Sequence, residues 1–107
     1  SHYDRLLIGS IARYHRRALP KAKHAHYAAL KPQDQGKVAV LAAFLRVADG
    51  LDCAHEGAVM DLKVEVTPAE MILRLQVRGA VEEECRDALA KGDLLEQVFG
   101  RTLEILA

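Results

Sequence analysis

Near residue 57 the apolar residues of this chain change from helical to alternating period, and that change constrains the fold more than any other feature. Up to about residue 56 they recur at helical spacing; "MDLKVEV" (60–66) and "MILRLQVR" (71–78) then alternate. Met60, Leu62, Val64 and Val66 fall on one face, with Asp61, Lys63 and Glu65 on the other. Met71, Leu73, Leu75 and Val77 repeat the pattern. Alternation is the period of a strand with one buried face. The connection "TPAE" pairs Val66 with Met71 and Leu62 with Leu75, so the two apolar faces coincide. A slip of one residue would turn one set to the opposite side. A half-buried hairpin is therefore predicted.

The flanking segments read as helices. In residues 3–18 the apolar positions Leu7, Ile8, Ile11, Ala12 and Tyr14 fit a helix, and Pro20 stops it soon after. Residues 19–33 hold two prolines and "KHAH", which reads as a loop or short irregular helix. A second helix is predicted over 34–55. Val38, Leu41, Leu45 and Ala48 cover one side of it, and Val40, Phe44, Val47 and Leu51 another. Being apolar nearly all round, it should be central and buried, with Gly57 as its C-terminal cap. Helical spacing returns at 81–99 through Val81, Cys85, Ala88, Leu95 and Phe99. Glu82, Glu83 and Glu84 open that helix, where its dipole favours them, and Gly100 ends it. "RTLEIL" is then a third strand added to the hairpin. The expected class is α+β: a helical part, 1–57, and a small β-β-α-β unit, 58–107, within one domain or fragment.

At 107 residues, half of them hydrophobic and with no Trp, the chain can fill one core. Lys plus Arg equals Asp plus Glu at 15 each, but the charge is uneven. Residues 1–56 hold nine basic against five acidic side chains, and 57–107 six against ten. The basic first half could face an anion, although charges can also fall unevenly without a partner. Cys53 and Cys85 have no metal or redox spacing and read as free buried thiols of a reducing, cytoplasmic compartment. No apolar run reaches membrane-spanning length, and no signal peptide is visible. The opening Ser1-His2 suggests a tag remnant or a cut from a longer protein.

Several residues carry candidate chemistry. In "IARYHRRALP", His15 borders the apolar face, which suits either a hydrogen-bonded packing role or a ligand. Arg13, Arg16 and Arg17 point away from that face, with Lys21 and Lys23 close behind. Guanidinium groups donate in pairs and suit phosphate oxygens, while a solvated basic face is the alternative. Asp49 projects close to Val38 and Leu45 on the second helix, inside an apolar arc. A buried carboxylate needs a partner, and Arg46, three residues earlier, or His15 could supply it. His15 with Asp49 would be two ligands of a metal site, too few to close one. His55 is expected to cap the helix end, and His24 and His26 to lie on the surface.

"IARYHRRALP" followed by "LAAFLRVADGLDCAH", with "HAHYAALKPQDQGKV" between, resembles the C-terminal domain of the Ppx/GppA phosphatases. This is the exopolyphosphatase and guanosine pentaphosphate phosphatase family. "LLEQVFGRTLEI" fits the tail of that domain more loosely. The resemblance implies a parent enzyme with N-terminal actin-like domains that hydrolyse terminal phosphates using Mg2+. It also implies an HD-like helical portion, in which "RVADGLD" would make Asp49 the counterpart of the last metal ligand and His15 its neighbour. The family's early His and His-Asp doublet are absent from this chain.

The resemblance leads to the expectation of a module that is non-catalytic alone and needs no cofactor of its own. It would bind polyphosphate or guanosine pentaphosphate through Arg13, Arg16, Arg17, Lys21 and Lys23, and pair as a homodimer. Nucleic acid and membrane are not among the expected partners. A remnant HD-type metal-dependent phosphohydrolase using His15 and Asp49, and a purely structural interaction domain, are the alternatives.

Overall fold

The structure is a computed structural model that describes residues 1–14, 20–21 and 24–107. The helical part comprises α1 (His2–Tyr14), the four-residue α2 (Ala25–Ala28) and α3 (Pro32–Leu51). The sheet-forming part comprises β1 (Val59–Val66), β2 (Glu70–Val77), α4 (Glu82–Ala90), α5 (Asp93–Phe99) and β3 (Thr102–Leu106). The α+β class stands. No helix among the described residues is long and apolar enough to cross a membrane.

The hairpin has the register its alternation requires: Val66 opposite Met71 and Leu62 opposite Leu75. One irregularity lies between Val59 and Asp61, at the start of β1. The third strand joins β2 on its other edge and runs parallel to it, giving the order β1-β2-β3. A parallel neighbour needs a crossover, and α4 and α5 supply it. The turn from α5 into β3 uses Gly100 at φ +60, a left-handed conformation that suits glycine. Arg101 holds this junction, donating from Nε to the Thr67 carbonyl at 2.7 Å and from Nη1 to the Phe99 carbonyl at 2.9 Å.

One core joins the two parts. Tyr14, Leu30, Val38, Ala42, Ala43 and Val47 pack with Met71, Leu73, Ala88, Leu94, Leu95 and Leu103. The α3 and α4 backbones approach closely at Gly50, where a Cβ would lie 2.5 Å from the Ala88 Cα. A side chain there would have to push a backbone aside, so the small residue sets the helix spacing.

Several expectations are corrected. The helix over 81–99 is two helices, because the chain turns at Lys91 and Gly92. A Cβ on Gly92 would lie 2.5 Å from Leu103 Cδ2, so the turn lets β3 pack against it. The second helix starts at Pro32, whose fixed φ suits a first helical position, and stops at Leu51. Gly57, at φ +62, and His55, at φ 55, therefore lie in the turn beyond the helix, and Gly57 is not its cap. His55 instead sits 3.5 Å from Asp52. Nor is α3 buried all round: Leu41, Phe44 and Leu45 are exposed. The apolar face of β1 is likewise uncovered, with Met60, Leu62, Val64 and Val66 all exposed. Both cysteines are free, as expected, but half-buried rather than buried.

Candidate functional site

The end of α1 is the place where the two resemblance-bearing blocks meet. Tyr14 is 1% exposed, and its hydroxyl lies 2.6 Å from His24 Nδ1. The His24 ring stacks on Tyr14 at 5.5 Å, and Tyr27 meets Tyr14 edge-on at 5.6 Å. Burial is the main cause that raises the Tyr14 pKa, so the phenol keeps its proton at neutral pH. His24, expected on the surface, is in fact half-buried and part of this cluster.

Arg46 crosses from α3 to this point. Its Nη1 donates to the Tyr14 carbonyl at 3.3 Å, and its Nη2 to Asp93 Oδ1 at 2.7 Å. A cation at a helix C-terminus and a carboxylate at a helix N-terminus both complement the helix dipoles. Arg46 thus ties the last described carbonyl of α1 to the first residue of α5. Its side chain is only 7% exposed, whereas that of Asp93 is 51% exposed. Among the described residues, the Arg46 Nε and the nearly inaccessible Ser10 Oγ have no hydrogen-bond partner. The sequence marks Arg46 as a cation spaced i+3 and i+4 from the apolar Ala43 and Ala42. Its partner lies 47 residues away and leaves no such trace.

Of the five expected phosphate-binding residues, Arg13 and Lys21 are described, and both are exposed. The Arg13 guanidinium lies 5.7 Å from the centre of the Tyr14 ring, which orients it beside the cluster. The Lys21 carbonyl accepts the His24 N–H at 3.0 Å. Arg16, Arg17, Lys23 and the expected ligand His15 lie outside the described residues.

Asp49 is not the buried carboxylate its spacing suggested. Its side chain is 54% exposed and accepts from Lys91 Nζ at 2.8 Å. Lys91 also reaches Asp87 at 3.1 Å, and these bonds, Asp49 foremost, raise its pKa despite the opposing effect of burial. Arg46, offered as the local partner of Asp49, is committed to Asp93 and Tyr14 instead. Among the described residues, no group of three His, Cys, Asp or Glu is placed to hold a metal ion.

Both thiols are shifted toward their protonated form. Burial, and then the charges of Glu83, Asp87 and Glu84, raise the Cys53 pKa. Burial, followed by Glu84 and Glu82, does the same for Cys85. Compared with known families and with curated proteins, the chain matches no family model and no curated protein.

Proposed function

We propose that this chain is the C-terminal module of a Ppx/GppA-type phosphatase, non-catalytic by itself, that holds the anionic substrate and pairs with a second copy. In this reading the parent removes terminal phosphates from polyphosphate or guanosine pentaphosphate in the cytoplasm, with Mg2+ supplied to its own catalytic domains. The observation that carries the reading is the packing of the two blocks that resemble the family. Tyr14 of "IARYHRRALP" and Arg46 of "LAAFLRVADGLDCAH" meet through a hydrogen bond across 32 residues.

The basic end of α1 supplies the binding surface. Polyphosphate carries charge along its whole length, so the cations Arg13, Arg16, Arg17, Lys21 and Lys23, of which Arg13 and Lys21 are described and exposed, raise its local concentration and retain it between cuts. Exposed charges of this kind act through a screened field, so the affinity is strongest at low ionic strength. The test is a titration of the purified protein with long-chain polyphosphate at low salt. Saturable binding supports the proposal, and its absence refutes it for this chain.

A further inference from the structure

We infer that the uncovered side of α3 is the contact between two copies of this chain, arranged antiparallel about a two-fold axis that passes between Phe44 and Leu45. This deepens the dimerisation element of the proposed function and is independent of polyphosphate binding. Leu41, Phe44 and Leu45 are 50%, 41% and 43% exposed. With Ala48 they form one stripe at spacings of three and four residues, the pattern of a helix face that meets another helix.

The stripe is continuous with apolar surface at both ends. Toward the start of α3, Gly36, Lys37, Val40 and Leu41 line an open groove of about 660 Å3 with Val98 of α5. Toward its end, Ala48 and Leu51 share a cleft with Val59 and Leu62 of β1. That cleft leads onto the uncovered face of the strand, where Val64 and Val66 are also exposed. A continuous apolar surface of this kind is unusual on a monomer.

The area agrees with a second copy as occupant. A compact monomer of 11.8 kDa would expose about 5,900 Å2. This chain exposes 6706 Å2. The excess over the whole chain, about 800 Å2, is similar in size to the area that one partner contributes to a standard stable interface. The radius of gyration is 14.7 Å, against about 13 Å for a compact chain of this length.

Self-complementarity selects the arrangement. Reversing α3 about the midpoint of Phe44 and Leu45 sets Phe44 against Leu45 of the partner subunit. It also sets Leu41 against Ala48 of the partner subunit, a large residue facing a small one. Lys37, whose side chain is 74% exposed, then faces Asp52 of the partner subunit, whose side chain is 59% exposed here. Antiparallel helices also oppose their dipoles favourably. A parallel arrangement would instead place Lys37 on Lys37 and Asp52 on Asp52. Pairing through the free edge of β1 is disfavoured, because the Asp61 carboxylate already accepts the Leu62 N–H at 2.8 Å and the strand is irregular at its start. Both are features that guard strand edges.

Sedimentation of the wild-type protein and four variants tests the inference. The wild type should be a dimer, and Leu45→Glu should be a monomer with unchanged far-ultraviolet circular dichroism. Lys37→Glu and Asp52→Lys should each weaken the dimer about three- to tenfold at low salt, and the double exchange should restore it. The charge exchange remains readable if Leu45→Glu fails to fold. A wild-type monomer would assign this face to another segment or another protein and overturn the inference together with the dimerisation reading. A dimer that survives Leu45→Glu, or that the double exchange fails to rescue, would overturn only the interface.

Discussion

Removing Asp93 should destabilise the protein more than removing Arg46, although Asp93 is the more exposed partner. The Arg46 side chain is 7% exposed and donates to the Tyr14 carbonyl as well as to Asp93. Asp93→Ala leaves that guanidinium buried with a carbonyl as its remaining named partner. Stranding one member of a fully buried pair costs about 3 kcal/mol or more; with Asp93 half-exposed, water can reach the Arg46 end and the loss is about 2–3 kcal/mol. Arg46→Met retains much of the volume and leaves a carboxylate that is 51% exposed and can hydrate. Its main loss is the hydrogen bond to the Tyr14 carbonyl, about 1–2 kcal/mol. Asp93 also accepts the Leu94 N–H at 2.9 Å at the start of α5, so Asp93→Asn is the control that keeps an acceptor and removes the charge. Total stability for a domain of this size is about 5–15 kcal/mol, so the larger loss is visible in urea denaturation with free energies extrapolated to water. The expected order of stability is wild type, Arg46→Met, Asp93→Asn, Asp93→Ala. Coupling between the sites should appear in the Arg46→Met/Asp93→Asn cycle. If Arg46→Met proved more damaging than Asp93→Ala, or if the cycle showed no coupling, the argument from the stranded charge would be wrong.

The remaining predictions concern packing and pH. Gly50→Ala should cost about 2–3 kcal/mol, because the new methyl would meet the Ala88 backbone at 2.5 Å. Gly92→Ala meets the end of the flexible Leu103 side chain and should be milder; thermal melts of the two variants check the order. Glu70 has a raised pKa, first through its hydrogen bond with Glu104 and then through the charges of Glu104 and Glu65, with burial contributing. The folded state therefore holds that proton to higher pH than the unfolded state does. This makes stability fall as pH rises from the ordinary glutamate value through the raised one. Glu70→Gln should flatten that fall in denaturation curves taken across the acidic range.

The sequence conveyed those parts of the fold that local period controls. The hairpin register follows from two alternating faces and a four-residue connection, and both are legible in the sequence. Whether anything covers the apolar face of β1 is not, since alternation orients a face without naming its neighbour. Asp49 shows the same limit on a helix. At about 100° per residue, Asp49 and Val38 point in nearly the same direction, yet Val38 is buried and Asp49 is exposed. The buried arc of α3 shifts along its length, from Val38, Ala42 and Ala43 to Arg46, Val47, Gly50 and Leu51. Different elements pack against it, namely α1, α4 and α5. Long-range ion pairs such as Arg46–Asp93 and Lys91–Asp49 depend on that packing and leave no local signal. The basic run around Arg13 was legible as charge, and its described members Arg13 and Lys21 are exposed.

The most direct measurement is the affinity for long-chain polyphosphate as a function of salt, for the wild type and for a variant with Arg13, Arg16, Arg17, Lys21 and Lys23 replaced by Ala. The account predicts binding that weakens steadily as salt rises and is largely lost in the variant, with the fold retained by circular dichroism. Equal affinity in the two proteins, or affinity that salt does not change, would contradict it.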